Sequence, residues 1–271
     1  HIFDGRKLGN IDRIDAGFSD SHFSGKQILK IKTEKNMFLI YKPHSLENEK
    51  WFYEFAQFIG EKCNIQLYNP RLLSYEKYGW SETIIFQPCM NETEVKKYYE
   101  RMGIYIFVAY LLGTHDIHYE NLITMGEYPV IVDLECISLC KTREQMNESN
   151  SIYEKLRNSV VSSGILPYSY WNNGKESVDL SALCGGNNEK APFKIPMLKI
   201  TERGKKSIIY ERPNMTSGFN RVLLRETTVS PADYEKEILA GFEKAYKQTI
   251  FFLKEVEEKI YSLNNLRSRY L

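Results

Sequence analysis

The sequence predicts an α+β fold of two lobes: a small β-rich lobe over residues 1–89 and a larger helical lobe over residues 90–271. Three observations carry this. Residues 11–43 are short β-like runs broken by polar turns, with further strand-like runs at about 71–77 and 82–88. Two long stretches, from Asn91 to Leu112 and from Pro231 to Leu263, repeat apolar residues at helical spacing. Between them, directly after the first helix, GTHDIHYENLITMGEYPVIVDLE (113–135) sets polar residues on either side of a short apolar strand.

In chain order, Ile28, Leu29 and Ile31 lie in one strand that ends near Thr33, and Thr-Glu-Lys-Asn (33–36) supplies the turn. Met37 to Tyr41 forms a second strand that delivers Lys42, and Pro43 closes it. GFSDSHFSGK (17–26) precedes this hairpin as a turn-rich loop, without a GxGxxG pattern. From Ser45 to Gly60 the residues Trp51, Phe52, Phe55, Phe58 and Ile59 mark a helix with Gly60 as its stop. Glu47 and Glu54 flank that stripe; either can pair with Lys42, and Glu54 is preferred. The next two strands are joined by Tyr78-Gly-Trp, and Gln87 to Met90 would connect the lobes. Asn91 followed by Glu94 is a capping box opening a helix whose apolar face includes Val95, Tyr98, Tyr99, Met102 and Ile106. That helix stops at Gly113.

Asp116 and Asn121 lie five residues apart, and Asp133 follows the apolar run PVIV (129–132). This is the layout of a kinase catalytic loop and its metal-binding aspartate. The chemistry requires one carboxylate to orient or accept the proton of an attacking hydroxyl. It also requires an amide oxygen and a second carboxylate to hold Mg²⁺ against nucleotide phosphates. Asp116, Asn121 and Asp133 fit those roles in chain order, and Lys42 fits phosphate contact. The plain alternative for any one of them is a loop residue that caps or turns the backbone, or, for Lys42, a solvated strand end.

With 42% apolar and 26% charged residues, the composition is that of a globular domain large enough for a buried core. A net charge of +1 gives no reason to expect nucleic acid as a partner. The five cysteines show no CxxC pair, so neither a zinc site nor a disulfide framework is expected. No apolar run reaches 18 residues, so no membrane span is expected, and a cytoplasmic location fits reduced thiols. The chain begins at His1, which reads as a fragment of something longer. KTREQMNESN (141–150) reads as a solvated loop, with peptide docking as the alternative. Residues 187–220 read as Asn-, Lys- and Pro-rich connection with a short β piece at 207–210.

DSH (20–22), YKP (41–43), DIHYEN (116–121) and PVIVDLE (129–135) together resemble the dehydratase domain of LanM-type, class II lanthipeptide synthetases. GILP (164–167), DLSALCGG (179–186) and AGFEKAYK (240–247) resemble later blocks of that family, so the likeness spans nearly the whole chain. His118, two residues after Asp116, and the DLE in place of DFG depart from protein kinases and agree with the family.

The resemblance implies a kinase-like fold and two-step chemistry: Ser and Thr of a precursor (leader-core) peptide are phosphorylated with ATP and Mg²⁺, and phosphate is then eliminated to leave dehydroamino acids. It implies catalytic roles for Asp116, His118, Asp20 and His22, phosphate contact by Lys42, and metal binding by Asn121, Asp133 and Glu135. For His22 and His118, orientation of neighbours is as good a reading as direct chemistry. A cyclase domain is expected in the full-length chain. The elimination block of the family includes an Arg and a Thr; Arg267 or Arg269 is the candidate here, with solvated helix-end arginines as the alternative. Two other readings are a small-molecule phosphotransferase of the aminoglycoside-kinase type and a nucleotide- or peptide-binding pseudokinase scaffold. The first is disfavoured by Thr-His-Asp-Ile-His where HGD is usual, the second by an intact Lys42, Asp116, Asn121 and Asp133 set.

Overall fold

Strands β1 (Ile11–Ala16), β2 (Leu29–Thr33) and β3 (Phe38–Lys42) follow one another antiparallel, and β4 (Leu72–Ser74) and β5 (Gly79–Glu82) complete the sheet in the order β1-β2-β3-β5-β4. These strands belong to a computed structural model that describes residues 8–16, 26–134, 136–137, 155–156, 158–172, 176–200, 206–216 and 218–262. The turn between β2 and β3 closes as the polar run 33–36 requires: Thr33 N–H donates to the Met37 carbonyl at 2.9 Å, and Asn36 takes a left-handed φ of 54°. Register pairs Lys42 with Gly79 and Tyr41 with Trp80.

Gly79 corrects the expected turn at 78–80. The turn lies at 75–78, where Tyr75 N–H donates to the Tyr78 carbonyl, and Gly79 is already in β5. A Cβ at Gly79 would lie 2.3 Å from Leu46 Cγ, so the glycine serves close packing rather than the turn. Leu46, fully buried, caps helix α1 (Glu47–Lys62), and that helix brings Phe52, Phe55, Ala56 and Ile59 into the core.

Helix α2 (Glu92–Leu112) is the central element. The Asn91 side chain accepts the Glu94 N–H at 3.0 Å, and Glu94 Oε2 accepts the Met90 N–H at 2.8 Å. Gly113, at a φ of 61°, ends the helix in the left-handed conformation. Residues Met102 to Ala109 are buried on every face, so α2 is enclosed rather than amphipathic. Its main neighbour is α3 (Glu235–Phe251), with which it shares a close crossing at Gly103 and Gly241. After a break at Phe252 the chain continues as α4 (Leu253–Tyr261), so the long C-terminal helical stretch is a pair.

The remaining strands are antiparallel ribbons: β6 (Leu122–Met125) with β7 (Tyr128–Ile131), β8 (Ser169–Asn172) with β9 (Glu176–Asp179), β10 (Ile195–Ile200) with β11 (Lys206–Glu211), and the short pair 223–224 with 227–228. The 10–11 ribbon lies in the stretch read from sequence mostly as connection. The segment 87–90 is fixed from two sides: Gln87 N–H donates to the Thr124 carbonyl at 3.0 Å and Cys89 N–H to the Leu223 carbonyl at 2.7 Å. One hydrophobic cluster runs from α1 through α2 and β7 to α3 and α4. A smaller one joins Tyr119, Val178, Ala191 and Met215. Among the described residues no helix is long and apolar enough to cross a membrane.

Candidate active site

Lys42 stands at the end of β3, 7% exposed, facing the first turn of α1. Its Nζ lies 2.5 Å from Glu49 Oε1 and 3.8 Å from Asp133 Oδ1. Glu49, 5% exposed, is therefore the carboxylate paired with Lys42. Glu54, expected in that role, is exposed and lines a separate cavity of about 740 Å³ with Gln57, Phe58, Tyr68 and Tyr128; Glu47 is exposed as well. The reason is helical geometry: Glu49 shares a face with Phe52, Tyr53 and Ala56, at i+3, i+4 and i+7, and that face is the buried one. Glu54 lies five residues on, turned well away. An acid is buried here because an ammonium meets it. Tyr53, one turn beyond Glu49, donates its buried hydroxyl to the Ile131 carbonyl. Helix α1 thus ties the strand that carries Lys42 to the strand that leads to Asp133.

The loop after α2 is held by backbone bonds to three distant segments. His115 N–H donates to the Cys136 carbonyl at 3.2 Å, Ile117 N–H to Ser163 at 3.0 Å, and Tyr119 N–H to Leu180 at 3.2 Å. A Cβ at Gly164 would lie 2.8 Å from the Ile117 carbonyl, so that segment can approach only as glycine. Asp116 and Asp133 both take a φ of 66°. Left-handed backbone is uncommon outside glycine, and two such aspartates at one site mark positions held by their surroundings.

Asn121, 8% exposed, donates from Nδ2 to the Asp116 carbonyl at 2.9 Å. Its own carbonyl accepts the Val132 N–H at 2.7 Å, next to Asp133. With Nδ2 committed, the amide oxygen is the atom left for a ligand. Asp116 is exposed. His118 is half-buried; Nδ1 accepts the Glu120 N–H at 3.3 Å and lies 3.8 Å from Glu120 Oε2, so the imidazole caps the 3₁₀ turn 119–121. Tyr119 is pushed up to about 12 by burial and by the charge and hydrogen bond of Glu120. Tyr168 is also pushed up, by burial first and then by the charges of Asp179 and Asp116.

Asp133 Oδ1 is buried and has no hydrogen-bond donor among the described residues. A buried anionic oxygen without a donor, 3.8 Å from an ammonium, is a ligand atom open to a cation. Among the described residues no three His, Cys, Asp or Glu side chains form a closed metal cage. Mg²⁺ takes one or two carboxylates and completes its shell with phosphate and water. Asp133 and the Asn121 amide oxygen fit that donor set. Asp20, His22, Glu135, Arg267 and Arg269 lie outside the described residues.

The model of the domain of unknown function DUF4135 matches residues 1–271. The chain belongs to this family. It is also 32% identical to the lacticin 481/lactococcin biosynthesis protein LcnDR2 of Lactococcus lactis subsp. lactis, over 83% of this chain and 26% of that protein. The chain therefore spans about a quarter of the length of that relative. The likeness to LanM-type synthetases first seen in short blocks is thus supported by a relative that matches 83% of the chain. Sequence reasoning missed Glu49 and Tyr53 at the site; a helical wheel anchored on Phe52, Ala56 and Ile59 puts both on the buried face.

Proposed function

We propose that this chain is the phosphorylating part of a lanthipeptide dehydratase, which modifies Ser and Thr of a precursor peptide with ATP and Mg²⁺ and then eliminates the phosphate. The observation that carries the reading is the convergence of residues remote in sequence. Lys42 lies between Glu49 and Asp133, and Asn121 is bonded to the Asp116 backbone. The relative's name, a lacticin 481/lactococcin biosynthesis protein, supports a precursor peptide as the substrate class. In this reading the five-stranded sheet with α1 is the smaller lobe and everything beyond Cys89 the larger, as in kinases, with ATP between them.

The residues divide the work. Asp116, exposed and fixed through its carbonyl by Asn121, orients the seryl or threonyl hydroxyl and accepts its proton as the oxygen attacks the γ-phosphorus. The bond from that phosphorus to the β–γ bridging oxygen breaks and ADP leaves. Lys42, held by Glu49, meets the phosphate oxygens with its ammonium; the buried ion pair keeps it extended in the right direction. Asp133 and the Asn121 amide oxygen would hold Mg²⁺, whose charge offsets repulsion between carboxylates and phosphates. The second step removes the α-proton and expels phosphate, and Arg269 is the candidate donor to the leaving group.

Calorimetry of Mg·ATP binding tests the first half. Asp133→Ala should lower affinity at least about tenfold, the loss expected when a metal-bridging carboxylate goes. Unchanged affinity in a folded Asp133→Ala protein would remove Asp133 from the metal site.

A further inference from the structure

The ribbon of β8 and β9 is built onto the catalytic loop. Val178 of β9, 7% exposed, packs with Tyr119, Ala191 and Met215, with Leu180 alongside. Just past β9, Ser181 forms an antiparallel bridge with His118, and Leu180 accepts the Tyr119 N–H. Ser181 N–H in turn donates to Asp179 Oδ1 at 2.8 Å, fixing the end of the strand. So β9 is the anchored strand, and β8 is the outer one.

Strand β8 starts at Ser169, opposite Asp179, one residue after Tyr168. Asp179 lies two residues before Ser181, which bridges to His118, so the register sets the first residue of β8 at the end of the ribbon that joins the loop of Asp116 and His118. On its other side, β8 makes no backbone hydrogen bond to any further segment among the described residues. An edge strand of this kind presents alternate N–H and C=O groups to whatever lies beside it.

Resting on the phosphotransfer reading above, we infer that the peptide substrate docks as an added strand on the outer edge of β8, with its Ser or Thr at the Asp116 end. Backbone groups supply the contacts in strand addition, and side chains matter only where they meet pockets. A ladder at this edge therefore holds a substrate by its main chain and tolerates varied residues around each acceptor. The 4 residues of β8 cover about 13 Å of extended peptide, at roughly 3.3 Å per residue. Recognition by this edge is thus confined to one flank of the acceptor.

The test uses the full-length enzyme and synthetic precursor peptides with a single seryl acceptor. Amide nitrogens flanking the serine are methylated one at a time, over the 4 positions on each side that β8 can reach. Mass spectrometry follows phosphorylation and dehydration. Methylation removes one donor and adds bulk at one ladder position, so it blocks only the residues whose N–H faces the strand. The expected result is an alternating pattern on one flank, with KM raised about tenfold or more at every second residue and little changed between them. Uniform tolerance, or losses without alternation, overturns strand docking. The unmethylated peptide and the Asp116→Asn enzyme separate the two ideas. If the unmethylated peptide receives no phosphate, the phosphotransfer reading fails. If it does and alternation is missing, only the docking fails.

Discussion

Replacing Glu49 by Gln removes one negative charge from the centre of the site and keeps the shape of the side chain. At an effective dielectric of about 20, the Coulomb attraction between Lys42 and Glu49 at 2.5 Å is about 7 kcal/mol, against about 4 kcal/mol for Lys42 and Asp133 at 3.8 Å. Desolvation of both ions offsets most of the first figure. What remains after the change is a buried ammonium 3.8 Å from Asp133. Breaking a buried pair from one side costs about 3–5 kcal/mol. Because Asp133 can take part of the charge, we expect a loss of about 3 kcal/mol in urea unfolding. The second effect is functional: on the proposed reading Lys42 turns toward Asp133 and would compete with Mg²⁺ for its carboxylate, so Mg·ATP affinity should fall with stability. Glu54→Gln, on the exposed side of the same helix, should change stability by no more than about 0.5 kcal/mol. Equal stabilities and equal nucleotide affinities for the two variants would refute the assignment of Glu49.

Two further outcomes follow from packing and charge elsewhere. A Cβ at Gly241 would lie 1.9 Å from the Glu100 carbonyl, so Gly241→Ala must push α3 from α2 and should cost about 2–3 kcal/mol in urea unfolding; a neutral result would contradict the close crossing. Glu127 is ion-paired with Arg101 at 2.8 Å and Lys97 at 3.0 Å. Burial opposes its ionisation, but the Lys97 hydrogen bond and the Arg101 charge outweigh it and hold its carboxyl below the usual range. A lowered folded pKa gives stability that is fully present above the unfolded value, about 4.3, and is lost as pH falls through the folded one. Wild type should exceed Glu127→Gln by about 1–3 kcal/mol at pH 7, and the gap should narrow as pH falls below the unfolded value and vanish below the folded one. A pH-independent gap would show that packing, not charge, sets it.

Local signals with a physical cause could be read directly. Asn91 with Glu94 and the terminal Gly113 define α2, because caps satisfy the same backbone groups in any context. The turn at 33–36 and the strand ending at Lys42 were legible for similar reasons. The brackets around the loop that follows α2 were not. Gly164, Leu180 and Ser181 sit in blocks that resemble a family, yet only the fold shows that Gly164 packs on the Ile117 carbonyl, Leu180 bonds to Tyr119 and Ser181 bridges to His118. Glu49 was missed because an apolar stripe marks acids as outward, and the pairing that allows one inward depends on a strand seven residues earlier. The ribbon at 195–211 escaped for the opposite reason. Leu198, Ile200, Ile208 and Tyr210 are apolar but more than half exposed, so their pattern does not announce a buried face. Gly79 looked like a turn residue and is a packing residue.

The central claim is that phosphate passes from ATP to a peptide hydroxyl beside Asp116. The direct measurement is a rapid-quench single turnover of the full-length enzyme with peptide and ATP labelled in its γ-phosphate. Wild type should give a transient peptide heavier by about 80 Da that carries the label, and dehydrated product should follow it. Asp116→Asn should give neither. Dehydrated peptide that forms without ever carrying label, or labelled peptide from Asp116→Asn at the wild-type rate, would contradict the account.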